Sequence, residues 1–464
     1  MNIFRLGLVA GVSLIAASCA VGPDYHLPDT PPAAVHNADP QTYSGAAPEE
    51  AWWHAFQDPV LDDLVGRALK GNLDLKAAVA RVREARALFD EADLNRFPHI
   101  TSDANYTRSD EQIPGFGTRR VPIGSADIGF DASWEIDLFG HVQRSVEAAD
   151  ADAEANEADL RDAEVTVAAE VARNYFLLRG AQERRVIAEN NAQTQRETLK
   201  LTQTRLEIGR GDPEDVESAK ARLAAIQATI PEFITDETRA NYRLAVLVGE
   251  RPGALDAQVA PRAEPPAPLV KLLPIGDAGS FLRRRPDIQA AERRLAAETA
   301  RVGVATADLF PRVNVTGFVG LLSGDVAALF THSAAAWSVG PSVTWPALDL
   351  GSAHARLRAQ EAKSDESLAS YDQAVLRAIE DLETALVAYR QQQTQIARLA
   401  EQVEASRRAA ELARLRYKEG TIDFLTLLDA ERTRLSAEDS LSVAETGANA
   451  GIVDIYKALG GNWS

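Results

Sequence analysis

Hydrophobic and polar positions follow two rhythms along this chain. The first is an alternation of period two, which puts successive side chains on opposite faces of a strand. In 100–108, Ile100, Ala104 and Tyr106 alternate with Thr101, Asp103, Asn105 and Thr107. In 126–134, Ile128, Phe130, Ala132 and Trp134 alternate with Asp127, Gly129, Asp131 and Ser133. Val313, Val315, Val319 and Leu321 share a face in 313–321. In 337–345, Trp337, Val339, Val343 and Trp345 alternate with Ser338, Gly340, Ser342 and Thr344. Each stretch predicts a strand of about nine residues, the length that spans a membrane when tilted. Trp134, Trp337 and Trp345 fall at strand ends, where interfacial aromatic girdles sit.

The second rhythm is helical. From Val142 to Ile208 there is no Pro and one Gly, Gly180; from Ser352 to Glu419 there is neither. Each run predicts a helix of roughly 100 Å. The later one carries a heptad seam through Leu357, Leu368, Tyr371, Val375, Ala378, Leu382, Ala385, Tyr389, Ile396, Leu399, Val403, Ala410, Ala413 and Tyr417, with Glu361, Ser364, Gln392 and Ser406 at its polar positions. That spacing argues coiled-coil packing; the earlier run is looser and rich in Ala. Each long helix ends at a Gly and turns into an antiparallel partner, 213–248 and 422–459. Shorter helices, 61–95 and 287–309, precede the strands. Phe97-Pro98 and Phe310-Pro311 end them, since Pro disfavours helical geometry just before it.

The same order therefore occurs twice. Phe97-Pro98 recurs as Phe310-Pro311, Asp137-Leu138 as Asp349-Leu350, and Val248-Gly249 as Leu459-Gly460. The 464 residues, about three domains' worth at roughly 150 each, read instead as two repeats, 61–249 and 281–464. A Pro-rich connector, 250–280, joins them, and 19–60 reads as an extended segment.

Composition narrows the function. A net charge of −19 argues against nucleic acid, whose phosphates need clustered Lys and Arg. The seven His lack metal-ligand spacing, and there is no GxSxG or P-loop, so no catalytic residue, metal or cofactor is expected. The single Cys, Cys19, follows Arg5, an apolar run 6–17 and the small residues Ala16, Ala17 and Ser18. This is like a bacterial lipobox, in which residues 1–18 are a signal peptide and Cys19 carries a covalent lipid; an ordinary signal peptide is the plainer reading. No later stretch is long and apolar enough for a membrane helix, so a crossing must be a closed β-barrel.

Four strands cannot close a barrel alone, because the smallest transmembrane barrels have about eight. Three chains would supply twelve. The expected fold is an α+β membrane protein: a trimeric twelve-stranded β-barrel, four strands per chain, continuous with a long α-helical coiled-coil barrel. Residues 109–125 and 324–336, between paired strands, are expected to be extracellular loops. Glu147, Asp150, Glu154, Glu157 and Glu164 make an acidic stripe that either solvates a helix face or lines a lumen. The cluster Arg283–Arg285 suggests ion pairs that fix a helix start.

Several ordered motifs carry a resemblance across nearly the whole chain. They are Cys19 through Tyr25, Trp52-Trp53 with Phe56, Asp58-Pro59 and Leu61, Asn72 through Ala77, and Arg81-Val82. Arg284-Arg285-Pro286-Asp287-Ile288 with Ala291-Glu292 follows, then Tyr417-Lys418-Glu419-Gly420 and Leu425 through Glu431. The chain resembles the TolC-like outer membrane factors, lipoprotein branch of the OprM and NodT type, which serve resistance–nodulation–division efflux systems. The resemblance implies a homotrimer in the outer membrane, lipid-anchored and extending into the periplasm. It implies a passive exit duct for small molecules such as drugs, docking a periplasmic adaptor and an inner-membrane pump. Leu425 and Asp429 match the residues that ring the periplasmic aperture; for Asp429 a capping or solvated role is the alternative. Gly209, Gly211, Asp212, Gly420, Thr421 and Asp423 lie in the tips that meet the adaptor, where Asp212 equally suits an N-cap. Rival readings are the exit duct of a type I protein secretion system and a non-channel coiled-coil lipoprotein, which would have no use for the four alternating segments.

Overall fold

The computed structural model describes residues 20–28, 35–46, 49, 51–112, 120–262, 272–276 and 281–461. The main elements are α1 (Pro59–Gly71), α2 (Leu73–Leu94), β1 (His99–Gln112), β2 (Arg120–Ile136), α3 (His141–Glu207) and α4 (Pro213–Leu247). They continue as α5 (Pro286–Ala307), β3 (Arg312–Ser323), β4 (Ala335–Thr344), α6 (Leu350–Glu419) and α7 (Phe424–Ala458). These residues fall into two compact units. One joins the N-terminal segment up to residue 29 with 81–157 and 290–373; the other joins 30–80, 158–289 and 374–464.

The first unit holds one antiparallel sheet in the order β1-β2-β3-β4. Its register sets Ile100 opposite Ala132, Phe130 opposite Val319, and Val319 opposite Trp337. The alternating apolar residues of all four strands thus share one face, on which Phe130, Val319, Trp337, Val339 and Val343 are exposed. The other face is mostly polar, with Phe318 and Leu322 opposite Asp131 and Asp127; there the Asn105 amide donates to Asp127 at 3.2 Å. Among the described residues, β1 and β4 each have one edge without a partner strand.

The first hairpin is longer than its alternation suggests. β1 has 14 residues and β2 has 17, so 109–112 and 120–125 are strand rather than loop. The reason is visible in the residues. Ser109, Asp110, Glu111 and Gln112 are polar on both faces and only Val121 and Ile123 opposite them are apolar, too short a rhythm to mark the paired ribbon. Residues 113–119 lie outside the described residues. In the second hairpin, two short 3₁₀ turns, Val326–Ala328 and His332–Ala334, fill the loop. A matched tie closes each repeat: the Trp134 indole donates to the Arg96 carbonyl and the Trp345 indole to the Leu309 carbonyl, both at 3.0 Å.

Helices stand side by side in each unit, and ion pairs and hydrogen bonds give their order. In the first it is α2, α3, α5, α6, through Arg86–Glu157 at 2.6 Å, Arg293–Glu154 at 3.0 Å, and Gln360 with Glu298. The N-terminal segment lies on two of them. Arg144 of α3 donates to Asp24 at 2.6 Å, and the Tyr25 hydroxyl donates to Glu292 of α5 at 3.1 Å.

In the second unit the order is α4, α3, α7, α6. Arg185–Glu237 at 3.0 Å, Arg184–Asp439 at 2.7 Å and Arg407–Glu438 at 2.8 Å mark the contacts. The α6 seam is buried here at Val375, Ala378, Leu382, Ala385 and Tyr389, and again at Val403, Ala410, Ala413 and Tyr417.

The expected single helix 61–95 is two helices. Asn72 breaks it, with ψ of 134°. Its side-chain oxygen accepts from Asp74 N at 2.8 Å and Leu75 N at 3.1 Å, and its amide donates to the Leu247 carbonyl at 2.8 Å. An Asn that caps the following helix competes with helix continuation, which periodicity does not register. Gly71 allows the closeness, because a Cβ there would lie 2.5 Å from the Val248 carbonyl oxygen.

Candidate functional site

The two helical tips close in the same way. After α3, Gly209 takes φ of 68° and Arg210 N donates to the Arg205 carbonyl at 2.8 Å. After α6, Gly420 takes φ of 81° and Thr421 N donates to the Arg416 carbonyl at 2.9 Å. This is the glycine-terminated Schellman arrangement, in which a left-handed residue satisfies the last helical carbonyls. Each return helix then starts on an Asp. Asp212 accepts from Glu214 N at 2.9 Å and Asp423 from Thr426 N at 2.8 Å. The bonds from Thr426 hold the Asp423 carboxyl below its ordinary range. At Gly211 a Cβ would come within 2.7 Å of the Leu206 nitrogen, so the turn leaves no space for a side chain.

An apolar knot joins the tips. Ala219, Ala413, Tyr417, Phe424 and Leu427 pack as one buried cluster. The Arg205 guanidinium lies 4.5 Å over the Tyr417 ring and also donates to the Tyr417 carbonyl. The Tyr417 hydroxyl reaches Asp215 at 3.5 Å. Burial, then the neighbouring Asp212, push the Asp215 carboxyl above its usual value.

Leu425 and Asp429 stand apart from this knot. Both are exposed, Leu425 to 66%. Two residues on a helix turn the side chain by about 200°. Leu427, fully buried, and Glu431, 2% exposed, therefore form the opposite stripe of α7. Leu425 and Asp429 share one face one turn apart, aimed away from the chain's own core.

The other candidates separate clearly. Cys19 lies outside the described residues; the segment after it is held by Val21 N donating to the Phe139 carbonyl at 3.0 Å. The acidic stripe is largely paired: Glu147 with Arg144 at 2.7 Å, Glu154 with Arg293 and Glu157 with Arg86. Asp150 and Glu164 are pushed up by burial.

The recurrent motifs prove to be tertiary ties. Trp52 stacks on Tyr456 with centroids 5.2 Å apart. Asp58 caps α1, accepting from Val60 N at 3.0 Å, from Arg262 at 2.8 Å and from the Tyr175 hydroxyl. Burial pushes its carboxyl up, but these bonds outweigh it and hold Asp58 below the usual value. Tyr175 is pushed up to about 12, by burial and by Asp58. Arg285 is buried, pairs with Asp287 at 2.7 Å and Asp381 at 3.3 Å, and donates to the Ala458 carbonyl at 3.0 Å, closing the end of α7.

Sequence reasoning gave no role to Glu431 or Arg205, and offered Asp215 only as an ordinary turn or cap acid. Glu431 lay in the motif Leu425 through Glu431, and a charge at the buried spacing of Leu427 was the available signal.

An apolar sheet face, two open sheet edges and long paired helices define a subunit of an outer-membrane channel. The outer membrane efflux protein model matches residues 64–250 and 278–461, and the chain belongs to that family. It is 30% identical to nodulation protein T of Rhizobium leguminosarum bv. trifolii, over 93% of this chain and 92% of that protein. It is 29% identical to the toluene efflux pump outer membrane protein TtgC of Pseudomonas putida, over 98% of this chain and 95% of that one. The outer-membrane channel OprN superposes with a TM-score of 0.93 at 49% identity, covering 96% of this chain and 100% of the other. The protein is thus a TolC-like outer membrane factor of the OprM/NodT type, an efflux channel located in the outer membrane.

Proposed function

We propose that three copies assemble into a passive duct that passes small molecules out of the cell. The observation that carries this is the sheet: four strands with an apolar outer face and an unpaired strand at each edge. Exposed backbone at a sheet edge has no partner in hydrocarbon, so the edges must meet other copies. Three chains give twelve strands, enough for an open lumen. In the second unit the flanking helices α4 and α6 likewise expose Ile234, Val246, Leu412 and Leu415, apolar surface suited to the next copy.

In this reading Leu425 and Asp429, repeated three times, ring the periplasmic aperture. Three carboxylates facing one another repel unless cations or protons relieve them. The turns at Gly209, Gly211, Asp212, Gly420, Thr421 and Asp423 are the contact for a periplasmic adaptor, which joins the duct to a resistance–nodulation–division pump. Cys19 carries the lipid anchor. In planar bilayers, Asp429→Ala should raise single-channel conductance at least twofold over the parent. An unchanged conductance removes Asp429 from the aperture.

A further inference from the structure

Glu431 is a buried carboxyl group of the second unit. Its side chain is 2% exposed, yet its two oxygens are only partly satisfied. One oxygen, Oε1, accepts from Arg414 of α6 and from the Thr198 hydroxyl of α3, each at 3.0 Å. The other, Oε2, is buried without a partner. Arg222 of α4 lies within electrostatic reach, and its Nε is likewise buried and unpaired. Burial, with Arg432 nearby, lowers the pKa of Arg222. Glu431 of α7 is thus bonded to α6 and α3, with a cation of α4 in electrostatic range. A buried ion pair of this kind adds little net stability, because desolvation offsets the attraction, but it can select one arrangement.

The position on α7 gives that selection a consequence. Glu431 lies one turn after Leu427, and across the helix from Leu425 and Asp429. Leu427 can slide in an apolar pocket at small cost, whereas a carboxylate fixed by Arg414 and Thr198 resists rotation. We propose that Glu431 is a positioning residue that sets the rotation of α7 about its axis, and so aims Leu425 and Asp429 into the aperture. This rests on the aperture reading of the preceding section.

The test uses full-length protein, in membranes and as detergent-purified oligomer. The variant Glu431→Leu with Arg414→Met removes both charges while keeping volume; Glu431→Gln is made in parallel in case the double variant does not assemble. Cysteines introduced as Leu425→Cys or Leu427→Cys report rotation through their maleimide labelling rates. In the parent, position 425 should label at least tenfold faster than 427. In the Glu431 variants that ratio should fall at least fivefold and conductance should rise, while the thermal midpoint of the oligomer stays within a few degrees. An unchanged ratio overturns the proposal, as does a changed midpoint with ratio and conductance intact. Asp429→Ala separates the two readings. If it changes conductance and the Glu431 variants do not, the positioning role fails; if it changes nothing, the aperture reading fails.

Discussion

Asp58 and Glu445 show how one residue type can support or oppose the fold. Asp58 is held below its ordinary value by Tyr175, Arg262 and Val60 N against the opposing effect of burial. A depressed carboxylate contributes stability above its unfolded value, near 3.9, and loses it as pH falls through the folded value. Asp58→Asn should cost about 1–3 kcal/mol at pH 7, and the deficit should vanish in acid melts. Glu445 has the opposite sign. Burial first, then Glu183, push it up. Its ionised form opposes folding at neutral pH, and stability rises as pH falls through the raised value. Glu445→Gln should raise the thermal midpoint at pH 7.5, with the gain shrinking toward pH 5. A gain independent of pH would contradict the assignment. Neither environment is legible in the sequence, because Asp58 is defined by residues more than a hundred positions away in the chain. Asp212 was easier: an Asp after a Gly-ended helix is a cap signal that needs only local chain.

Among the elements, the long helices were the most legible and their partners the least. Continuity of 67 and 70 residues follows from the near absence of Gly and Pro, and the α6 seam follows from its heptads. Which helix α3 would meet does not follow, since α3 is flanked on both sides and its apolar positions spread around it. Gly180, the one glycine of that run, records the answer. A Cβ there would collide with the Thr446 side chain of α7. Gly180→Ala should destabilise by about 1–3 kcal/mol through overpacking. Adding Thr446→Ala should recover most of this, as a double-mutant cycle on thermal midpoints would show. If the two effects simply add, the contact is not where the cost arises. The strands were found by their apolar rhythm and truncated where it stops, because the upper hairpin has no buried face to impress on the sequence.

For the molecule as a whole, duplication was readable from matched motifs, whereas the join between copies of the chain is readable only from what each chain leaves unpaired. Detergent-purified protein should have three times the mass of one chain by light scattering; a stable monomer would contradict barrel closure. Cys19→Ser should abolish incorporation of labelled palmitate, and a labelled variant would refute the lipid anchor. In the first unit Glu147, Glu154 and Glu157 of α3 each have an Arg partner.

The unequal hairpins bear on how such a molecule meets the outside world. The two repeats tie their strands to their helices with the same indole bond, so at that level the halves are interchangeable. Further up they diverge: β1 and β2 stay paired from His99–Ser133 to Gln112–Arg120, but β3 joins β2 only as far as Ser323 opposite Ala126. A ribbon of six residues on each strand projects past its neighbour, on the order of 20 Å. Three chains would thus show near-sixfold symmetry within and only threefold symmetry to the surroundings. The twofold likeness of the repeats is thus kept where the strands pair across them and lost in the ribbon beyond.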